Sequence, residues 1–313
     1  MNFLPLTLHR ISDERLGNVT LSLCRLDLIA GPVAGNKRFK LLPNLKQAQA
    51  LGYRKVASFG GAWSNHLDAL ARGGAALGMG TLGFVRGGDG QPLTPMLRDA
   101  QECGMELVFL SRADYRKRGD EQFLNSLTEQ YPDVHWVPEG GSNTTGVSGC
   151  VELGRELAKI AAEHAFDCVA LPCGTGGTLA GVARGLEAAG SAAQAVGYAV
   201  LKPGAFLREA VGKFQTACGV SENWSVVTSH HGGGYARCPQ ALADFIEDFY
   251  RRHRIALDPV YSGKLMWGLF QDAEAGAYRG KSVLALHTGG LQGLRGYPAL
   301  LANLTEMGFQ GLQ

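Results

Sequence analysis

The sequence predicts an α/β protein built on mainly parallel sheets. Three observations carry that prediction. Short apolar or β-branched runs alternate with helical patterns along the chain, glycines gather between those runs, and the connections are short. The 44 glycines follow no collagen-like period, so they read as tight turns. A parallel strand needs a crossover before its neighbour, and a helical pattern is available for it at most of these points.

The first expected helix covers 41–52, an apolar-periodic stretch entered through Gly35-Asn36-Lys37. A strand at 55–59 leaves through Gly60-Gly61, and a helix at 64–78 follows, with Ser64 or Asn65 in the capping position. Strands at 80–85 and 106–110 enclose a helix at 94–104, which a Thr-Pro pair opens. The helix at 120–131 precedes a strand at 134–138, and the helix at 149–164 precedes one at 167–172. A small-residue helix at 178–190 leads to strands at 194–200 and 224–229. Helices at 239–253 and 262–276 and a strand at 282–288 complete the series.

Bulk composition narrows the function classes. Hydrophobic residues make up 45% of the 313 residues and charged ones 19%, as in a protein with a large core. A net charge of +2 gives no reason to expect a nucleic-acid or membrane-surface partner. No apolar run approaches the roughly 18 residues of a membrane span. The start lacks the basic and apolar pattern of a secretory signal, so no signal peptide is expected. Seven cysteines, an odd number with no Cys-x-x-Cys pair, read as reduced thiols in a cytoplasm rather than a disulfide framework.

Three glycine-rich strand exits, at Gly60-Gly61, Gly174–Gly177 and Gly289-Gly290, mark the carboxyl ends where ligands bind in open parallel sheets. The run Leu171 to Gly181, LPCGTGGTLAG, resembles a phosphate cradle. Its glycines let backbone N–H groups approach an anion, the helix start adds positive potential, and Thr175 and Thr178 add hydroxyls. It is neither a Walker loop, since no Gly-Lys-Ser/Thr follows, nor the GxGxxG dinucleotide fingerprint. Lys37, in AGNKRFKLLPNL, is an amine nucleophile or proton carrier if it points into a cleft, and otherwise a surface lysine. Lys40 reads as a solvated helix lysine. A phosphate cradle, a reactive amine and an Asn-bearing loop together suggest pyridoxal phosphate.

The motifs GNKRFKL, GGAWSNH, CGTGGTLAG and DPVYSGKLMWGL followed by HTGG appear in the order of a known family. The chain resembles the fold-type II pyridoxal-phosphate enzymes, and within them the aminocyclopropanecarboxylate deaminase and D-cysteine desulfhydrase family. The resemblance implies two open, twisted, mainly parallel sheets flanked by helices. It also implies a small inserted domain at 45–145 and a large domain joining 1–44 to 146–313. Lys37 matches the lysine that carries the cofactor, Asn65 the partner of the ring oxygen, and Ser64 the residue near the substrate carboxylate. Gly174, Thr175, Gly176, Gly177 and Thr178 match the phosphate cradle, and Cys173, which precedes that loop, is expected on the cofactor side packed beneath it, with nothing to mark it as a thiolate. Tyr235 and Tyr261 match paired active-site tyrosines, and Thr288 the hydroxyl facing the pyridine nitrogen. The activity so implied is β-elimination from a small amino acid, giving a keto acid and ammonia, with sulfide release as in D-cysteine desulfhydrase. Aminocyclopropanecarboxylate deaminase, a β-replacement synthase and a cofactor-holding protein without turnover are the alternatives. A homodimer is implied.

Two departures stand out. Trp63 replaces the Gln usual before the Ser-Asn pair, which should reshape the substrate pocket. Ser262 replaces the Glu that follows the tyrosine in the deaminase branch. A neutral hydroxyl near the ring nitrogen would weaken the electron sink and count against ring opening. The adjacent His230 and His231 are poorly placed to share a metal, and no metal is expected. His66 and His287 read equally as cofactor contacts or packed loop residues.

Overall fold

A computed structural model describes residues 6–311 apart from Asp89 and Gln91, together with every side chain in that span except those of Ala217 and Cys218. Its strands form two sheets. The larger contains β1 (Leu8–Ile11), β2 (Thr20–Arg25), β7 (Cys168–Cys173), β8 (Gln194–Ala199), β9 (Trp224–Val227) and β10 (Ser282–His287), in the order β1-β2-β10-β7-β8-β9. Only the β1–β2 pairing is antiparallel. The smaller contains β3 (Lys55–Gly61), β4 (Gly80–Arg86), β5 (Met105–Leu110) and β6 (Val134–Trp136), in the order β5-β4-β3-β6 and all parallel.

Helices cover the sheets: α1 (Gly35–Ala50), α2 (Asn65–Ala76), α3 (Pro95–Glu102), α4 (Arg112–Arg116), α5 (Glu121–Gln130), α6 (Thr144–His164), α7 (Gly177–Ala188), α8 (Phe206–Cys218), α9 (Gln240–His253), α10 (Ser262–Glu274) and α11 (Pro298–Glu306). β7 is buried along its whole length, as a parallel strand covered on both faces should be. Separate apolar clusters lie on the two faces of each sheet. In the small sheet Phe59, Phe84 and Trp136 pack ring against ring at 5.1–5.8 Å.

The expected strands and helices are all present, and β1, β2, α4, α8 and α11 are added to them. The largest boundary shift is at α1, which starts at Gly35 rather than residue 41. No side chain caps it; instead the carbonyl of Thr288, just beyond β10, accepts from Asn36 N at 3.2 Å. The first turn of α1 is therefore completed by a remote strand end. The six cysteines whose side chains are described are free, and Cys218 lies outside that set. No helix among the described residues is long and apolar enough to cross a membrane.

Candidate active site

The carboxyl ends of both sheets open into one cavity of about 1300 Å³. Its wall holds Gly61 at the end of β3 with Ser64 and Asn65 beyond it, Cys173 at the end of β7 with Gly174 to Gly176 and Thr178 beyond it, and Thr288 after β10. Lys37 and Lys40 enter from α1, and Tyr235 and Tyr261 from loops of the large sheet. Segments far apart in the chain thus meet where the open-sheet rule places a ligand.

Lys37 is half-buried in the first turn of α1. Its Nζ donates to Asn36 Oδ1 at 3.2 Å and lies 5.9 Å from the centre of the Tyr261 ring. Asn36 in turn donates to Thr178 Oγ1 at 3.0 Å, joining the lysine's turn to the glycine loop. Loss of hydration lowers the Lys37 pKa from 10.5 to about 7, and the neighbouring Lys40 ammonium adds to the effect. A substantial fraction of the amine is therefore unprotonated at neutral pH.

Lys40 corrects the sequence reading. It is 2% exposed rather than solvated, because one turn after Lys37 the helix faces the glycine loop. Its Nζ donates to Ser142 Oγ at 2.6 Å, and that hydroxyl shares a 2.6 Å hydrogen bond with Thr175 Oγ1. Burial lowers its pKa as well. Among the described residues it has no carboxylate partner. A buried cation so placed calls for an anion.

The glycine loop points the same way. Gly176 sits at φ +86°, a conformation that favours glycine, and it stands at the start of α7. No side chain caps that helix, so its first N–H groups are free for an acceptor. Gly177 approaches both Ser142 and Lys40, with an added Cβ falling 3.0 and 3.3 Å from their polar atoms. Cys173 is buried at the end of β7, and burial pushes its thiol up to about 12. It is an uncharged wall beside the loop.

Ser64 caps α2, its Oγ accepting from Leu67 N at 3.3 Å, and also lines the cavity. Capping and exposure to the site coexist because only one lone pair of the hydroxyl is used. Asn65 Oδ1 is buried without a hydrogen-bond partner among the described residues. Its amide is pressed against Gly290, where an added Cβ would stand 2.4 Å from Nδ2. Thr288 is 7% exposed and faces the same cavity. Trp63 packs over Gly296 and lines a second cavity of about 750 Å³ that shares Gly61, Asn65, Tyr235 and Tyr261 with the first.

The hydroxyls of Tyr235 and Tyr261 are 3.4 Å apart. Burial raises the pKa of each, and the Tyr235 hydroxyl beside Tyr261 reinforces the rise there. Both are phenols at neutral pH. Ser262 does not take the place expected for it. It is fully buried, lines neither cavity, and donates to Asp258 Oδ1 at 2.6 Å. Asp258 also accepts from the backbone N–H groups of Val260, Tyr261 and Ser262 at 2.8–2.9 Å. Ser262 thus braces the turn that presents Tyr261, and its side chain says nothing against ring opening.

His66 is buried in the cavity wall with Nε2 2.7 Å from Ser58 Oγ, while its Nδ1 lacks a partner among the described residues. His287 is bonded through Nε2 to Ala256 O at 2.9 Å, and its Nδ1 accepts from Gly289 N at 3.3 Å. His230 pairs with Asp272 at 2.7 Å and His231 accepts from Gly233 N. Among the described residues no group of three or more His, Cys, Asp or Glu is arranged to hold a metal ion.

The donor set fits pyridoxal phosphate: a low-pKa amine, an uncapped helix start beside a buried ammonium, and an unpartnered asparagine oxygen in one cavity. Comparison with known proteins agrees. A family model described as pyridoxal-phosphate dependent enzyme matches residues 5–289. The bifunctional D-cysteine desulfhydrase/1-aminocyclopropane-1-carboxylate deaminase of Arabidopsis thaliana, described as mitochondrial, is 29% identical, over 93% of this chain and 77% of its own. A D-cysteine desulfhydrase of Yersinia pestis is also 29% identical, over 93% of this chain and 92% of its own. The crystal structure of an ACC deaminase homologue superimposes with a TM-score of 0.82 at 26% identity, covering 96% of this chain and 94% of that one. The chain is an enzyme of the pyridoxal-phosphate dependent family, and belongs there with the aminocyclopropanecarboxylate deaminases and D-cysteine desulfhydrases.

Proposed function

We propose that the enzyme catalyses β-elimination on a small amino acid, in the manner of a D-cysteine desulfhydrase, releasing a keto acid, ammonia and sulfide. The observation that carries this reading is the amine of Lys37, poised near pH 7, beside two phenols that stay protonated. When bound, pyridoxal phosphate supplies an aldehyde for the amino group and a ring that takes up negative charge. Lys37 would carry it, the residues from Gly174 to Thr178 with Ser142 and Lys40 would hold its phosphate, and Asn65 and Thr288 its ring. Ser64 would orient the substrate carboxylate. Lys37 removes the proton from the substrate α carbon, since neither phenol is a base at neutral pH. Tyr261, steadied by Tyr235, donates a proton to the departing sulfur.

Purified, cofactor-loaded protein given D-cysteine should release sulfide and keto acid in equal amounts. Absence of both products from either enantiomer of cysteine would sink the reading. Keto acid from 1-aminocyclopropane-1-carboxylate would instead favour the deaminase activity named for the relatives.

Lys40→Met tests the phosphate role. The cofactor should bind about 10–100-fold more weakly, the usual loss for a charge-assisted contact. The cofactor-free protein should melt no lower, because an unpaired buried ammonium is itself costly. Calorimetric titration and thermal melting read the two effects separately. Unchanged cofactor affinity with a lower melting point would make Lys40 a structural residue.

The same reading divides the chain into a small domain at 45–145 and a large one formed by 1–44 and 146–313. The four-stranded sheet at 55–136, with an apolar cluster of Phe59, Phe84, Tyr115 and Leu127 drawn wholly from this segment, supports that division. A homodimer in the cytoplasm is part of it. The free cysteines suit a reducing compartment, and sedimentation would read the assembly.

A further inference from the structure

The acidic groups around the two cavities are committed. Asp27 pairs with Arg25 at 2.6 Å, Asp68 with Arg72 at 3.1 Å, Asp99 with Arg295 at 2.5 Å and Glu139 with Arg118 at 2.5 Å. Asp258 is taken up by its own turn. Three arginines are not balanced in this way. Arg86, Arg112 and Arg116 line both cavities, and none has a carboxylate partner among the described residues.

Their positions follow from the small sheet. Arg86 closes β4 and stands in register with Gly61 of β3, the residue that opens the Trp63-Ser64-Asn65 loop. An added Cβ at Gly61 would lie 3.7 Å from Arg86 Nη2. β5 is the next strand, and Arg112 follows its end as the first residue of α4. Arg116 lies one turn on, its Nε donating to Arg112 O at 3.1 Å and its other nitrogens without a partner among the described residues. The Arg86 guanidinium is 5.9 Å from the Tyr115 ring centre. Its charge also reaches the Tyr235 hydroxyl. The cluster therefore stands on the Trp63 and Tyr235 side of the cavity. The glycine loop and Lys40, which suit the cofactor phosphate, come from α1 and β7.

We infer that Arg86, Arg112 and Arg116 form a side-chain subsite of the active site, and that among amino acids able to undergo the elimination the preferred substrate carries an anionic group on its side chain, either the phosphate that leaves or a carboxylate beyond the leaving sulfur. The inference rests on the amino-acid lyase reading and narrows its substrate class. Ser64 and the Asn65 loop would face the α-carboxylate, and the arginines the second charge. Guanidinium groups match both anions in bidentate geometry, and a cavity mouth with one sign of charge concentrates such substrates.

Isothermal titration of the cofactor-loaded protein tests this. The ligands are both enantiomers of aspartate against asparagine and of O-phosphoserine against serine, at fixed ionic strength. At least one anionic ligand should bind about tenfold or more tightly than its neutral counterpart, the effect of one charge-assisted hydrogen bond. Preference for aspartate alone assigns a carboxylate, and for phosphoserine alone a phosphate. In the triple variant Arg86→Gln, Arg112→Gln, Arg116→Gln the ratio should fall to about one. A wild-type ratio near one, or a triple variant that keeps the preference, overturns the inference. The readout is binding heat rather than turnover. Discrimination without keto acid release from any amino acid would therefore refute the elimination reading alone, and sulfide release without discrimination would refute this one alone.

Discussion

Lys37→Ala is expected to lower turnover by about 10³-fold or more, within the range for a lost base and beyond it if attachment is essential. It should leave the fold intact, since the side chain is half-buried and makes a single hydrogen bond, to its neighbour Asn36. Borohydride treatment of the loaded wild type, followed by peptide mass mapping, should find the cofactor on Lys37. Lys264 is a poor competitor, because its Nζ is spent on the carbonyls of Val200 and Gly234 at 3.1 and 2.6 Å. Lys40 is held by Ser142. A label on either would redraw every role assigned here. The pH dependence has a definite sign. Only the unprotonated Lys37 amine would take up an aldehyde, so attachment of the cofactor to the cofactor-free protein should accelerate as pH rises through about 7 and then level off. A lysine left at 10.5 would keep gaining far into the alkaline range.

Tyr261→Phe should cut turnover about 10²–10⁴-fold while leaving cofactor attachment and its absorbance in place. The ring that packs near Lys37 and Gly174 is kept, and only the hydroxyl is removed. Tyr235→Phe should act through the same group, because the two hydroxyls share one contact at 3.4 Å. The double variant should then cost little more than the worse single one, as coupled neighbours do. Full activity of Tyr261→Phe on the best substrate would remove it from the chemistry. Additive losses would mean the two tyrosines act on different atoms.

Trp63 and Ser262 show why motif reading stops short of a pocket. Each departs from the family pattern at a neighbouring position in sequence, yet only Trp63 reaches a cavity. Ser262 turns inward because the first turn of α10 needs an acceptor network, and Asp258 provides it. Lys40 is the reverse case. Its one-turn spacing from Lys37 was visible, but a helix of mixed polarity gives no sign of which charged face is covered. The covering group is the Ser142–Thr175 pair, whose nearer member is 102 residues away in the chain.

The sequence by itself determined the α/β class, the eight strands whose apolar runs end in turn residues, and the motifs around Lys37, Asn65, Gly176, Tyr261 and Thr288. These are local properties: a period of burial, a glycine able to hold positive φ, a small residue where a helix begins. Tertiary structure alone decided the rest. It extended α1 to Gly35 through the Thr288 carbonyl, buried Lys40, paired the tyrosines, and left Arg86, Arg112 and Arg116 facing the cavity without a carboxylate partner among the described residues. The edge strand β1 escaped the sequence reading because two of its four residues are exposed, which leaves no apolar run to see. In each case the outcome depends on hydration, charge and hydrogen-bond partners supplied by residues remote in the chain, and no local pattern encodes which of them will meet.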